Sequence, residues 1–313
     1  MKKLDLKLAV IALLAGATGA QAQLTQPYLL PHYGAADGTP ESVTGFSAAH
    51  QFRHSGLGTE GQSQEERDSS SASAGSEKEQ RSSFEILPDY GSFSTKITKG
   101  DTYSLPLYAN FKINDRIGLN VTLPVEYTEY RLPFGSLKTY SFSLNVGVPI
   151  KVLKREKGEA WNWVVTPGLG GSGAFADDPP SSQNILVQGG LTSLLSYQGS
   201  CFTLSMGNQI SAYHTVNKTG AYDFTTDIDQ QILRNGLKLS VPFGGRWVAE
   251  AYGIHTQFLE PGYLDYYYTF GGSLGYHMSG SKKNSYVKIG AYGELGDQGY
   301  RAAHLHVGTG WKF

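Results

Sequence analysis

The sequence predicts an all-β chain, a transmembrane antiparallel up-and-down β-barrel of about twelve strands, with fourteen as the alternative count. Three observations carry that expectation. From about residue 100 onward, runs of ten to fifteen residues alternate between apolar and polar side chains, so each strand has one face of each kind. Such runs exceed the ~5–6 residues usual in globular sheets and match the ~9–11 that a tilted strand needs to cross a bilayer. The composition agrees: Gly 39, Tyr 20 and Phe 14 against Met 3, with 17% charged residues, favours strands over helices. A β-sandwich would alternate too. Strand length, and polar faces rich in Gly, Ser, Thr and Asn as in a hydrated lumen, separate the barrel from it.

Taken in order, the chain opens on Met1-Lys2-Lys3, an apolar core from Leu8 to Ala15, and the A-x-A site Ala20-Gln21-Ala22. That pattern predicts a signal peptide over residues 1–22 and a mature chain from Gln23. The single cysteine, Cys201, cannot form an intramolecular disulfide. Residues 23–83 form a polar N-terminal segment, a loop or tail. Its part 55–83, rich in Ser, Glu and Gly, has too little apolar area to offset ordering entropy and reads as an outer loop or tail. The barrel is assigned to 84–313. Its first strand is "FEILPDYGSFSTKI" (84–97), interrupted by Pro88 and Gly91 as at a kinked edge. Eleven further runs make twelve strands. A short alternating piece at 44–52, with 84–97 split in two, would make fourteen.

The runs begin with Tyr103, Leu105, Leu107 and Phe111 outward against Ser104, Tyr108, Asn110 and Lys112 inward. After "NDR" (114–116), Leu119, Val121, Leu123 and Val125 face out, and Asn120, Thr122, Glu126 and Thr128 face in. The same pattern continues through Leu144–Val146, Trp161–Trp163, Val187–Leu191, Leu204–Met206, Leu237–Leu239, Tyr268–Phe270 and Ile289. A lumen position such as Asn145 should then accept arginine where outward Leu144 would not. Turns alternate short (114–116, 153–160, 198–200, 244–246, 279–284) with long (130–138, 172–183, 214–227, 259–264, 296–300). Short turns belong on the periplasmic side of such barrels. All four tryptophans, Trp161, Trp163, Trp247 and Trp311, then fall at the periplasmic girdle, and tyrosines gather at the other end.

The inward positions Lys112, Glu126, Lys151, Arg234, Lys238, Glu250 and Lys288 line the lumen, where charges either tie the wall together or select ions. Arg234 or Lys238 paired with Glu250 on the next strand is the simpler arrangement. The balance of 26 Lys+Arg against 27 Asp+Glu leaves no field to attract nucleic acid. His214 with Asp223, Asp227 and Asp229 reads as a solvated acidic loop rather than a hydrolytic centre, and the spacing lacks a Ca²⁺-loop pattern. His277, His304 and His306 face inward with no Cys or carboxylate completing a metal set. No cofactor is expected.

The last ten residues, "HLHVGTGWKF", form an amphipathic strand ending on aromatics. His306, Gly308, Trp311 and Phe313 resemble the C-terminal signal of Gram-negative outer-membrane proteins, which implies recognition by the barrel-assembly machinery with Phe313 as anchor. More broadly, the stretch from residue 84, with "LPLYANFKINDRIGLNVTLPVEY", "WNWVVTPGLGGSGAFADD" and "QILRNGLKL", resembles the solitary autotransporter-type β-barrel domain. Residues 23–83 are shorter and more polar than a conventional passenger. The resemblance implies an outer-membrane location among lipid, and a non-catalytic role as a passive small-solute pore or a structural, surface-display barrel. An autotransporter-type translocator and an outer-membrane hydrolase are the alternatives; oligomeric state is left open.

Overall fold

The computed structural model describes residues 82–312, apart from 97, 115, 133–134, 154–159, 177–181, 221–228, 261–263 and 279–284. It contains β1 (Ser83–Ile86), β2 (Asp89–Ser94), β3 (Lys99–Lys112), β4 (Gly118–Leu132), β5 (Gly135–Gly147), β6 (Ile150–Leu153) and β7 (Trp161–Ala176). These are followed by β8 (Ser182–Gln198), β9 (Thr203–Gly220), β10 (Asp229–Phe243), β11 (Trp247–Phe258), β12 (Tyr266–His277), β13 (Ser285–Gly296) and β14 (Arg301–Lys312).

These fourteen segments make twelve barrel strands. β1 and β2 are two halves of one strand, both lying between β14 and β3. β5 and β6 are likewise two halves, both pairing with β7. Each break falls at a proline, Pro88 or Pro149, which cannot donate to the ladder. The neighbouring groups stay paired: Val307 N–H reaches Pro88 O at 3.0 Å and Gly118 N–H reaches Pro149 O at 3.0 Å. Two strand interruptions account for the count of fourteen. Residues 44–52, on which the alternative count relied, lie outside the described residues.

The sheet closes on itself. β14 pairs with β13 on one side and with β1 and β2 on the other, so neither the first nor the last strand is an open edge. Ser83 stands opposite Lys312, so the barrel begins and ends at the same rim, as an even strand number requires. The polar N-terminal segment therefore joins the barrel at the C-terminal rim. The stretch 55–81 of the segment read as an outer loop or tail lies outside the described residues.

At the far rim several strands run further than the sequence suggested. β4 continues to Leu132 and β5 restarts at Gly135, within the stretch read as a long loop at 130–138. Opposite-charge pairs carry this extension: Arg131 bonds Asp101 across β3 and β4, and Glu129 faces Lys138 across β4 and β5. β7 likewise reaches Ala176 and β9 reaches Gly220.

The exterior is a broad apolar wall. Leu169 is 73% exposed, Ile289 58% and Phe270 56%, on a scale no soluble monomer tolerates. Aromatic rings band it at both rims. Trp161 meets Tyr197 (4.9 Å) and Trp247 meets Tyr276 (4.7 Å) at the C-terminal rim. Tyr90, Tyr103, Tyr127 and Tyr140 form a chain of ring contacts toward the far rim, at 5.0, 6.1 and 5.2 Å. Arginine at outward-facing Leu144, Val146 or Leu239 should cost roughly 2–4 kcal/mol near the midplane, read as lost folding yield in liposomes relative to alanine.

Asn145 departs from its expectation. It is 0% exposed, and a Cβ at Gly170 on the neighbouring strand would stand 1.8 Å from its Oδ1. The interior is filled at that point, so arginine there must displace packed neighbours rather than enter water.

Candidate functional site: the barrel interior

The inward faces of β10 to β14 and of β1 and β2 converge on one polar network. Period-two alternation turns Lys238, Glu250, Ser273 and Lys288 inward on four successive strands, β10 to β13. Glu250 sits at the centre. Its Oε1 accepts from Lys238 Nζ at 3.2 Å and from Ser240 Oγ at 3.3 Å; its Oε2 accepts from Ser273 Oγ at 2.8 Å and from Lys288 Nζ. Arg234 is 0% exposed, Lys238 2%, Glu250 6% and Lys288 1%. Charges so deeply enclosed persist only when paired and hydrogen-bonded.

Glu85 on β1 joins the same wall from across the closure seam. Tyr286 on β13 donates its hydroxyl to Glu85, passing over Gly310 of β14, which is the ladder partner of both. A Cβ at Gly310 would lie 2.5 Å from the Tyr286 ring, so glycine is what lets the tyrosine cross an intervening strand. One step further along the seam, His304 Nδ1 lies 2.9 Å from Asp89 Oδ1, with the Tyr292 ring stacked on the imidazole at 4.2 Å and 7°. Toward the far rim, Glu294 accepts from Tyr300 Oη at 2.6 Å and Thr269 Oγ1 at 3.2 Å.

The far mouth itself is apolar inside. Leu186, Tyr213, Ile232, Phe258, Leu264 and Tyr267 pack together with Tyr300 and Ala302, against Phe93 of β2. They face inward from β8 round to β14, where a wholly hydrated lumen was expected. A wet channel does not place such side chains together, because each gains by leaving water.

The structure places the remaining sequence-derived residues as follows. Arg234 lies at 3.0 Å from Gln209 Oε1, on the strand opposite to Glu250; Lys238 and Lys288 are the cations at Glu250. Glu126 is buried on β4 and accepts from Thr128 Oγ1 at 3.0 Å. Lys112 and Lys151 are half-buried near the C-terminal rim of the opposite wall, apart from the Glu250 network. Trp163 is half-buried and donates its indole N–H to Ser193 Oγ at 2.9 Å. Trp311 stands opposite Ser285 and Phe84 in register. His306 is buried, and a Cβ at Gly308 would lie 2.3 Å from Leu87 Cδ2. Phe313 and residues 1–81 lie outside the described residues.

His214 and Asp229 stand 4.0 Å apart and well exposed at the far rim, in the open setting of a solvated pair. No group of three metal-capable side chains occurs among the described residues. Sequence reasoning passed over Glu85, Asp89, Tyr286 and Glu294. Their inward parity was readable, but their partners depend on closure.

No family model matches the chain, and no curated protein matches it in sequence. Solved structures do share its fold. The translocator domain of the autotransporter NalP from Neisseria meningitidis superposes with a TM-score of 0.56 at 12% identity, covering 87% of this chain and 99% of that one. The beta domain of the Bordetella autotransporter Brka gives 0.53 at 10% identity, over 74% and 99%. An outer membrane channel from Pseudomonas putida F1 gives 0.53 at 8% identity, over 74% and 96%. The chain thus has the closed, twelve-stranded antiparallel architecture found in autotransporter translocator domains and outer-membrane channels.

Proposed function

We propose that the chain is an integral outer-membrane β-barrel with a non-catalytic, structural and surface-display role, and that its interior does not conduct at rest. The observation that supports this reading is the enclosure of Arg234, Lys238, Glu250 and Lys288, all at 6% exposure or less. Charges lining an open aqueous pore would stay wet. The apolar cluster inside the far mouth works in the same direction. On this reading residues 1–22 direct export, the C-terminal rim is periplasmic, and His306, Gly308, Trp311 and Phe313 present the closing strand to the assembly machinery.

Purified protein in planar lipid bilayers should give no steady ohmic current. A stable open level in the unmodified protein would overturn the closed-interior reading and restore the passive pore.

A translocator of the autotransporter type is the second reading, favoured by one observation. Because Ser83 lies at the C-terminal rim, residues 23–82 can reach the cell surface only by passing through the barrel. Protease added to intact cells separates the two: cleavage within 23–82 supports the translocator, and full protection supports the structural barrel.

A further inference from the structure

One row of outward side chains breaks the apolar wall. Ser193 on β8, Asn208 on β9, Asn235 on β10, His255 on β11 and Tyr268 on β12 stand each directly opposite the next. The flanking rows carry Met206, Leu237 and Phe270 on one side and Leu191, Ile210 and Leu233 on the other, the latter row continuing to Gln257 on β11. Asn208 therefore lies between Met206 and Ile210 along its strand, and Asn235 between Leu233 and Leu237. Both amides sit within the band that faces lipid.

Three members of the row have internal partners. Ser193 receives the Trp163 indole N–H, and the His255 ring lies 4.9 Å from that of Tyr268. The two carboxamides have no side-chain hydrogen bond among the described residues. A carboxamide carries both donors and an acceptor, and hydrocarbon offers it nothing. Two such groups facing each other across a ladder, amid Leu, Ile and Met, need a polar occupant.

We propose that this row is the contact surface for a second copy of the chain. The amide chemistry favours that occupant. A two-fold axis along the membrane normal, between β9 and β10, sets Asn208 against the partner's Asn235 and Asn235 against the partner's Asn208. Each donor then meets an acceptor, in the self-complementary manner of two-fold interfaces. The outward face nearby carries Ala212 on β9 and Ala251 and Gly253 on β11, small residues of the kind that let membrane segments approach closely. The proposal rests on the reading of this face as lipid-facing.

The test uses two differently tagged full-length copies, one Asn208→Cys and the other Asn235→Cys. Both also carry Cys201→Ser, because Cys201 is the chain's one cysteine and is exposed. Oxidation in isolated outer membranes should give a mixed disulfide dimer, roughly tenfold above a control pair of Leu144→Cys copies, on β5 three strands beyond β9. Asn208→Leu with Asn235→Leu should convert a two-copy particle to a one-copy particle by light scattering, with heat-modifiable gel mobility unchanged. A mixed dimer no more abundant than the control overturns the proposal, as does linkage to a different protein or a two-copy particle that survives the double leucine variant. Loss of heat-modifiable mobility in the unmodified protein would overturn the membrane-barrel reading instead.

Discussion

Replacing Glu250 with alanine should destabilise the barrel by about 3–5 kcal/mol, the range seen when one partner of a buried ion pair is removed. The reason is local and specific. Lys238 and Lys288 both point at this one carboxylate, and their side chains are 2% and 0% exposed. Without Glu250 two buried ammonium groups face each other and lose the carboxylate that binds both, and Ser240 and Ser273 lose their shared acceptor. Urea unfolding of protein refolded in lipid bilayers would measure the effect. A triple variant, Lys238→Met with Glu250→Leu and Lys288→Met, should recover most of the loss, because it removes the charges together. If Glu250→Ala unfolds at the same urea concentration as the parent, the network is solvated and the closed-interior reading fails with it.

Deleting Phe313 should nearly abolish barrel assembly in cells while doing modest harm to refolding in detergent. Moving one phenylalanine side chain from water to lipid contributes only ~2 kcal/mol by area. That is a small share for a strand paired on both sides along its length, as β14 is with β13 and with β1 and β2. The large cellular effect comes from lost recognition before folding begins. Leu239→Ala removes similar apolar area from the exterior and should affect cells and detergent alike. Immunoblots of outer-membrane fractions beside refolding yields decide the matter. Equal behaviour of the two variants in both settings would reduce the C-terminal residue to ordinary strand packing.

The exterior was legible because its signal is local. Whether Leu144, Leu237 or Ile289 faces lipid depends only on period-two alternation, and all three are exposed in the barrel. Pro88 was readable as a break in the first strand for an equally local reason, its missing N–H. Strand ends were less legible. β4 and β5 extend past the residues read as loop because cross-strand pairs such as Arg131 with Asp101 hold them, and such pairs require knowledge of the register.

Spacing along single strands made the class of fold and the outward apolar rows readable, with a count of about twelve strands and fourteen as the alternative. What meets inside depends on how the sheet closes. Asp89 and His304 are 215 residues apart, and closure of the sheet puts them in contact. Tyr286 reaches Glu85 only because β14 intervenes with a glycine at that row. Glu250 recruits Lys238 and Lys288 while Arg234 turns to Gln209, a choice set by strand stagger. Leu186, Ile232 and Phe258, scattered over three strands, become one apolar cluster because tilt and shear bring their rows to the same mouth. Alternation fixes which way a side chain points; the stagger of the closed sheet fixes what it finds there.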